Sequence, residues 1–386
     1  MQPKIGFAIF LQSIFWYIMP LINQQNQLLE ICDLIYDHKI TAIDTEFIRE
    51  TTYLPILCLI QINVNGFCYV VDALSDLDLS PFFKILSDPK IIKIFHSSRQ
   101  DMEVFLINFP NQISSQCPPR AIFDTQIMAA LCGLGFNISY SNLAKNLLDA
   151  DVSKDWQRSD WQKRPLHPEQ VSYAKIDVLH LPQIYQILNE QLAREEKLDW
   201  AKDEMDFNVQ KATAKDDLCK NFSFANKSSA YQENVNLLTS WRDISARKYN
   251  VPRSFVIKDE VLDKIAFNAP SDFETLEKCG FKTRVLQQNT KEEILDLLNN
   301  KILPQVVESK KHNPKIVFRL TEAQKEIYQQ SRFLLQEQAK KYQINPELII
   351  NQTNLQHLIS GYKSITEILL GWRYIVFGQA LEKLIA

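Results

Sequence analysis

The stretch TAIDTEFIRE, residues 41–50, places two acids, Asp44 and Glu46, two positions apart behind the apolar pair Ala42 and Ile43. Residues 40–47 read as a β-strand. Strand side chains alternate with period two, so both carboxylates face one side. Burying an unpaired acid is expensive, so the placement needs a cause.

Outward from that strand, residues 57–64 form a second, and Asn65-Gly66 supplies a two-residue hairpin turn into a third, 67–72. A helix is expected near 81–88 and a fourth strand over 91–96. Helical patterns follow near 99–109, 123–133, 139–148 and 168–192. A hairpin followed by mixed strands and helices predicts a mixed sheet covered by helices, an α/β fold.

Beyond residue 200 the strand signal ends. Residues 201–230 are polar and read as a linker with a little helix. Then ARKYNVPRSFVIKDEVLDKI, from 246, aligns with AKKYQINPELIINQTNLQHLI, from 339, at an offset of 93 residues. The expected organisation is an apolar N-terminal extension, 1–18, a catalytic domain, 19–200, a linker, 201–230, and two all-α repeats, 231–305 and 318–386. The second repeat is expected to be a separable module.

A chain of 386 residues with 46% hydrophobic and 23% charged content fits a soluble protein of two or three domains. Its net charge of -3 is unevenly spread. Residues 1–200 hold 16 Lys and Arg against 23 Asp and Glu, and residues 201–386 hold 27 against 23. An acidic front and a mildly basic back suit a metal-loaded domain followed by a polyanion-binding one. Seven cysteines without a C-x-x-C pair read as reduced thiols in a cytoplasmic protein and argue against a zinc site. Apart from the first residues, nothing could span a membrane, and no heptad argues for an oligomer or a protein partner.

Two further segments carry acids. Asp101 opens the helix after IIKIFH, and Asp177 lies one helical turn past Tyr173. Singly, a strand-end acid is a turn or cap residue, a helix-start acid complements the macrodipole, and a tyrosine at helical spacing is core. Together, four carboxylates would resist ionisation unless hard cations neutralised them. Two divalent ions about 3.5–4 Å apart are an established arrangement for phosphodiester hydrolysis.

These residues carry a resemblance. DTE (44–46), FHSSRQDMEVF (95–105) and YAKIDV (173–178) resemble the three exonuclease motifs of the DEDD 3′–5′ exonuclease superfamily, tyrosine branch. Within it the chain is similar to the bacterial ribonuclease D family over nearly its whole length. IFDTQIMAALCG, SDWQKRPLHPEQVSYAKIDVLHL and GWRYIVFG support this, and the repeats resemble paired HRDC domains. The resemblance implies a ribonuclease H-like fold and two divalent ions, Mg2+ or Mn2+. Asp44, Glu46 and Asp177 would hold one ion, and Asp101, with Asp44, the other; Tyr173 would position the attacking water. The implied substrates are tRNA precursors and other small structured RNAs with 3′ trailers, shortened to 5′-mononucleotides. Alternatives are a DNA 3′–5′ exonuclease of the same superfamily and a non-catalytic RNA-binding protein.

Candidate strand contacts are His96, Arg99 and Gln100 beside the second motif. In KDWQRSDWQKRPL, Trp156 and Trp161 alternate with Lys154, Arg158 and Arg164, which suits base stacking with phosphate contacts. His96 also reads as a packed, hydrogen-bonded residue, and Asp124 as a helix N-cap before a site residue. Arg247, Lys248 and Arg253, with Lys340 and Lys341, are candidates for a basic RNA-gripping face.

Overall fold

The computed structural model describes residues 21–113, 117–153, 155–212, 218–219, 221–224, 227–281, 290–301 and 320–385. The apolar segment 1–18 and Lys154 lie outside the described residues. The chain forms two compact units, one of residues up to 47, 57–213 and 318–386, the other of 48–56 and 214–317.

The first unit is built on five strands: β1 (Ile40–Ile48), β2 (Ile56–Val64), β3 (Phe67–Asp72), β4 (Ile92–Phe95) and β5 (Ile122–Asp124). Their order is β3-β2-β1-β4-β5, with β2 and β3 antiparallel and β4 parallel to both β1 and β5. The β2–β3 hairpin turns as expected at Asn65 and Gly66, both at positive φ (52° and 83°). The helices are α1 (Gln25–His38), α2 (Ser80–Ser87), α3 (Arg99–Asn108), α4 (Thr125–Leu131), α5 (Tyr140–Leu148), α6 (Pro168–Leu179), α7 (Leu181–Arg194) and α8 (Leu198–Ala212). Ile35, Ile43, Ile62, Phe82 and Phe105 belong to one buried cluster, and Ala42, Cys68, Ile94, Val178 and Leu181 to another. The mixed α/β sheet is the expected one.

Four local readings change. Helix α1 was not expected, although Leu28, Ile31, Cys32 and Ile35 bury an i, i+3, i+4, i+7 stripe. The helix expected from 123 starts at Thr125, because Ile122 to Asp124 pair with Lys93 to Phe95 as a strand. The helix expected over 168–192 breaks at His180, because Pro182 lacks an N–H and its ring crowds the preceding turn. The stretch expected to be linker from 201 is helical to Ala212, with Ala201, Met205 and Val209 buried.

The second repeat shares a core with this unit. Leu335, Ile349, Leu355, Val376 and Phe377 share one buried cluster with Met128, Leu131, Leu188 and Met205. Trp372 stacks on Trp200 at 5.2 Å and donates from Nε1 to Glu204 (3.0 Å), while Arg373 forks onto the same carboxylate. The GWRYIVFG motif is therefore an anchor on α8.

The second unit packs the helices Ser229–Tyr249, Arg253–Val256, Asp259–Asn268, Phe273–Lys278 and Thr290–Asn300 around Leu238, Trp241, Leu262, Ile265 and Ile294. The repeat is visible in the elements: Arg253–Val256 and Asp259–Asn268 recur 93 residues later as Pro346–Ile349 and Gln352–Ile359. Fully buried Asp243 accepts from the Tyr53 hydroxyl (2.6 Å), Arg247 Nε (2.9 Å) and Arg253 Nε (2.6 Å). Those two arginines, expected on an RNA-gripping face, are thus engaged by an internal acid. Among the described residues no helix is long and apolar enough to cross a membrane. All seven cysteines lie among the described residues; six are buried and none is in a disulfide.

Candidate active site

Strand β1 lies between β2 and β4, and its pairing with β4 runs from Ile40 to Ala42. Asp44 and Glu46 thus follow the last residue paired with β4, on the same side of the strand. Between them Thr45 is buried, and its hydroxyl donates to Oδ1 of Asp101.

Asp101 is delivered by the turn from β4 into α3. Ser97 in that turn has a φ of +62°, a strained conformation for a side-chain-bearing residue. Asp124 holds it. Its carboxylate accepts from Ser97 N (2.9 Å), Ser98 N (2.7 Å) and Ser98 Oγ (2.9 Å), and also caps α4 through Gln126 N (2.9 Å). The N-cap role expected of Asp124 is therefore joined by a second one, fixing the turn that carries Asp101.

Tyr173 and Asp177 occupy α6, which begins with a capping box of His167 and Gln170. Its far end is tied down twice. Asn63 on β2 donates to Val178 O (3.1 Å) and Leu179 O (3.2 Å), and Tyr140 donates to Ile176 O (2.8 Å). These fastenings bring Asp44, Glu46, Asp101, Tyr173 and Asp177 to the wall of one cleft of about 470 Å³, which His96 and Gln100 also line.

The acids disturb each other strongly. Burial, then the charges of Asp101, Asp177 and Glu46, raises Asp44 well above the ordinary carboxylate range. Burial with Asp177 and Asp101 pushes Glu46 up to about 9. Burial pushes Asp101 and Asp177 up to about 7, opposed by hydrogen bonds from Thr45 and Tyr173 respectively. Tyr173 is raised by burial and by Asp177, Glu46 and Asp44, so its phenol keeps its proton.

Among the described residues, no three His, Cys, Asp or Glu side chains are gathered closely enough to hold a metal ion as they stand. Two of the four acids have an oxygen engaged by a hydroxyl, Asp101 by Thr45 and Asp177 by Tyr173. The donor set nevertheless fits hard divalent ions. It is all oxygen, and buried carboxylates that resist ionisation alone are stabilised as anions by a cation.

The expected strand contacts divide. Gln100 lines the cleft, and Arg99 stands exposed beside it with one loose pairing to Glu103 (3.6 Å). His96 has both ring nitrogens engaged, by Thr125 Oγ1 (2.9 Å) and Ile138 O (3.1 Å), and burial holds it below its ordinary value. Trp156 stacks on His167 at 5.2 Å, and Arg158 is exposed.

Two expectations are corrected. Trp161, expected to stack on a base, is 2% exposed and packs 6.1 Å from the Tyr173 ring. Arg164, expected to contact phosphate, pairs bidentately with Asp72 (2.8 and 2.6 Å) and donates to Trp161 O (2.7 Å). Both hold the loop before α6 instead. The sequence reading missed Tyr140 and Thr45: neither carries a charge, and their partners lie 36 and 56 residues away.

Comparison with known proteins agrees with this geometry. Residues 19–193 match a 3′–5′ exonuclease family model, and residues 232–298 match the HRDC domain. Ribonuclease D of Granulibacter bethesdensis is 31% identical across 93% of this chain and 90% of its own length. Ribonuclease D of Haemophilus influenzae is 30% identical across 91% and 89%. The crystal structure of Escherichia coli RNase D, described as an exoribonuclease involved in structured RNA processing, superposes with a TM-score of 0.80 at 25% identity, covering 95% of this chain and 98% of that one. The chain belongs to the ribonuclease D family and is a metal-dependent 3′–5′ exoribonuclease.

Proposed function

We propose that this enzyme trims the 3′ ends of tRNA precursors and other small structured RNAs, releasing 5′-mononucleotides, with Asp44, Glu46, Asp101 and Asp177 as ligands of two divalent ions, Mg2+ or Mn2+. The observation that carries the reading is the convergence of four carboxylates and one tyrosine on a single cleft. When bound, such ions supply an activated water and neutralise charge developing on the phosphate.

The chain's own residues do the rest. The Tyr173 phenol, protonated and next to Asp177, orients the attacking water by hydrogen bonding. Thr45 and Asp124 keep Asp101 in place, and Tyr140 and Asn63 do the same for the end of α6 that bears Asp177. Gln100, Arg99, Trp156 and Arg158 are the candidates for gripping the strand. We place the enzyme in the cytoplasm, acting as a monomer without a protein partner.

The test is degradation of an RNA with a short single-stranded 3′ tail, run beside a DNA of the same sequence. Mononucleotides should be released from the 3′ end, and a chelator or Asp44→Asn should stop the release. Faster hydrolysis of the DNA would favour a DNA exonuclease. Binding without hydrolysis, with divalent ions present, would favour the non-catalytic alternative.

A further inference from the structure

Among the described residues, the lining of the catalytic cleft includes acids, a histidine, hydroxyls, amides and apolar groups, and no lysine or arginine. Polyanion binding runs on phosphate neutralisation, so the described cations just outside the cleft are the ones to search for contacts to the upstream phosphates of an RNA strand whose 3′ end enters it. A second cleft, of about 690 Å³, meets the first at a shared lining residue, Gln126. One wall of it is α8, where Phe207 is 46% exposed and the Lys211 ammonium sits 4.2 Å from the centre of its ring.

Helix α8 packs against α3, whose first residue, Arg99, precedes Gln100 of the catalytic cleft. Burial, and then the charge of Arg99, holds Lys211 below the ordinary lysine range; Glu204 opposes this and Arg373 adds to it. Cations that crowd one another in this way are relieved by an anion.

We propose that the Phe207–Lys211 end of this second cleft is a subsite for RNA upstream of the scissile bond, with a base stacked on Phe207 and a backbone phosphate held by Lys211 and Arg99. Stacking on an aromatic face tolerates any base, as an enzyme acting on varied 3′ trailers requires. The acids of the cleft restrict the path to this end. Asp203 lies beside Gly371, eight residues or about 12 Å along α8 from Lys211. Glu367 is spent on Ser364 and Glu204 on Arg373, while Asp206 and Glu347, which also line the cleft, are exposed and steer a phosphate towards Lys211 and Arg99. The subsite rests on the exoribonuclease reading and extends it to the body of the substrate strand.

The experiment compares oligoribonucleotides of increasing length, from a dinucleotide to an octamer, with wild type, Phe207→Ala and Lys211→Gln. Hydrolysis is measured with Mg2+ and affinity with a chelator present. Phe207→Ala should lower kcat/KM on the octamer about tenfold, the effect of one lost stack. Lys211→Gln should flatten the salt dependence of octamer binding by about 0.7 in log–log slope. Both penalties should grow with length. A penalty equal at every length would mean a structural role, and no penalty would mean the strand runs elsewhere; either overturns the subsite. If wild type binds the octamer but never cuts it, the exoribonuclease reading fails, while the affinity series still decides the subsite.

Discussion

The hydroxyl of Thr45 is bonded to the carboxylate of Asp101, 56 residues away, so the residue between the two strand acids steadies the acid that opens α3. That bond holds the Asp101 pKa down against burial. Thr45→Val should therefore raise it further. We expect the acid limb of the kcat profile to move to higher pH and several-fold more Mg2+ to be needed for half-activity, with KM for RNA little changed. A loss uniform across pH would contradict this.

Tyr173 stands one helical turn from Asp177 and bonds its carboxylate. Tyr173→Phe keeps the ring against Trp161 and removes the hydroxyl. Turnover should fall about 10²-fold, the lower range for groups that manage a proton in the transition state. RNA affinity, measured by fluorescence anisotropy, should stay near wild type. Equal losses in rate and affinity would make the tyrosine a packing residue.

The acids also make a pH prediction for the metal-free protein. Asp101 and Asp177 sit at about 7 and Glu46 at about 9, against about 4 for carboxyl groups in an unfolded chain. Between those values the folded protein keeps protons that the unfolded chain has released. Stability from these groups is complete below pH about 4 and is lost as pH rises to 7 and beyond. Melting in a chelator should fall from pH 5 to pH 9. Added Mg2+ should raise the melting temperature, more at pH 8 than at pH 5.

Gly133, with a φ of +76°, lies so close to the second repeat that a Cβ on it would stand 2.8 Å from the carbonyl oxygen of Gln343. Gly133→Ala should destabilise by about 2 kcal/mol, from backbone strain and from the forced separation, as read by urea denaturation. Removing 318–386 altogether uncovers the cluster around Met128, Leu188 and Met205. The truncated chain should aggregate or melt far below the full one. A well-folded fragment with full activity would contradict the shared core.

Much of the site was legible because it is encoded locally. The strand TAIDTEF points two acids one way through its period-two geometry, the Asn65-Gly66 turn sets the hairpin, and Tyr173 and Asp177 share a helix face. The repeat needed only alignment of the chain with itself, and α1 was readable from its apolar stripe. Strand β5 was not, because a three-residue strand is defined by the neighbour it pairs with.

By itself, then, the sequence determined the family the chain belongs to and nominated the residues proposed to carry the chemistry, since motif order, spacing and residue type need no partner. Tertiary structure decided what each cation and aromatic group is for. Arg164 and Trp161 look like strand contacts in KDWQRSDWQKRPL, yet one neutralises Asp72 and the other is buried against Tyr173. Only the fold shows that the GWRYIVFG motif is fastened to α8 through Glu204. The reason is physical: burial and charge pairing are properties of what lies nearby in space, and the partners of these side chains stand up to 169 residues away.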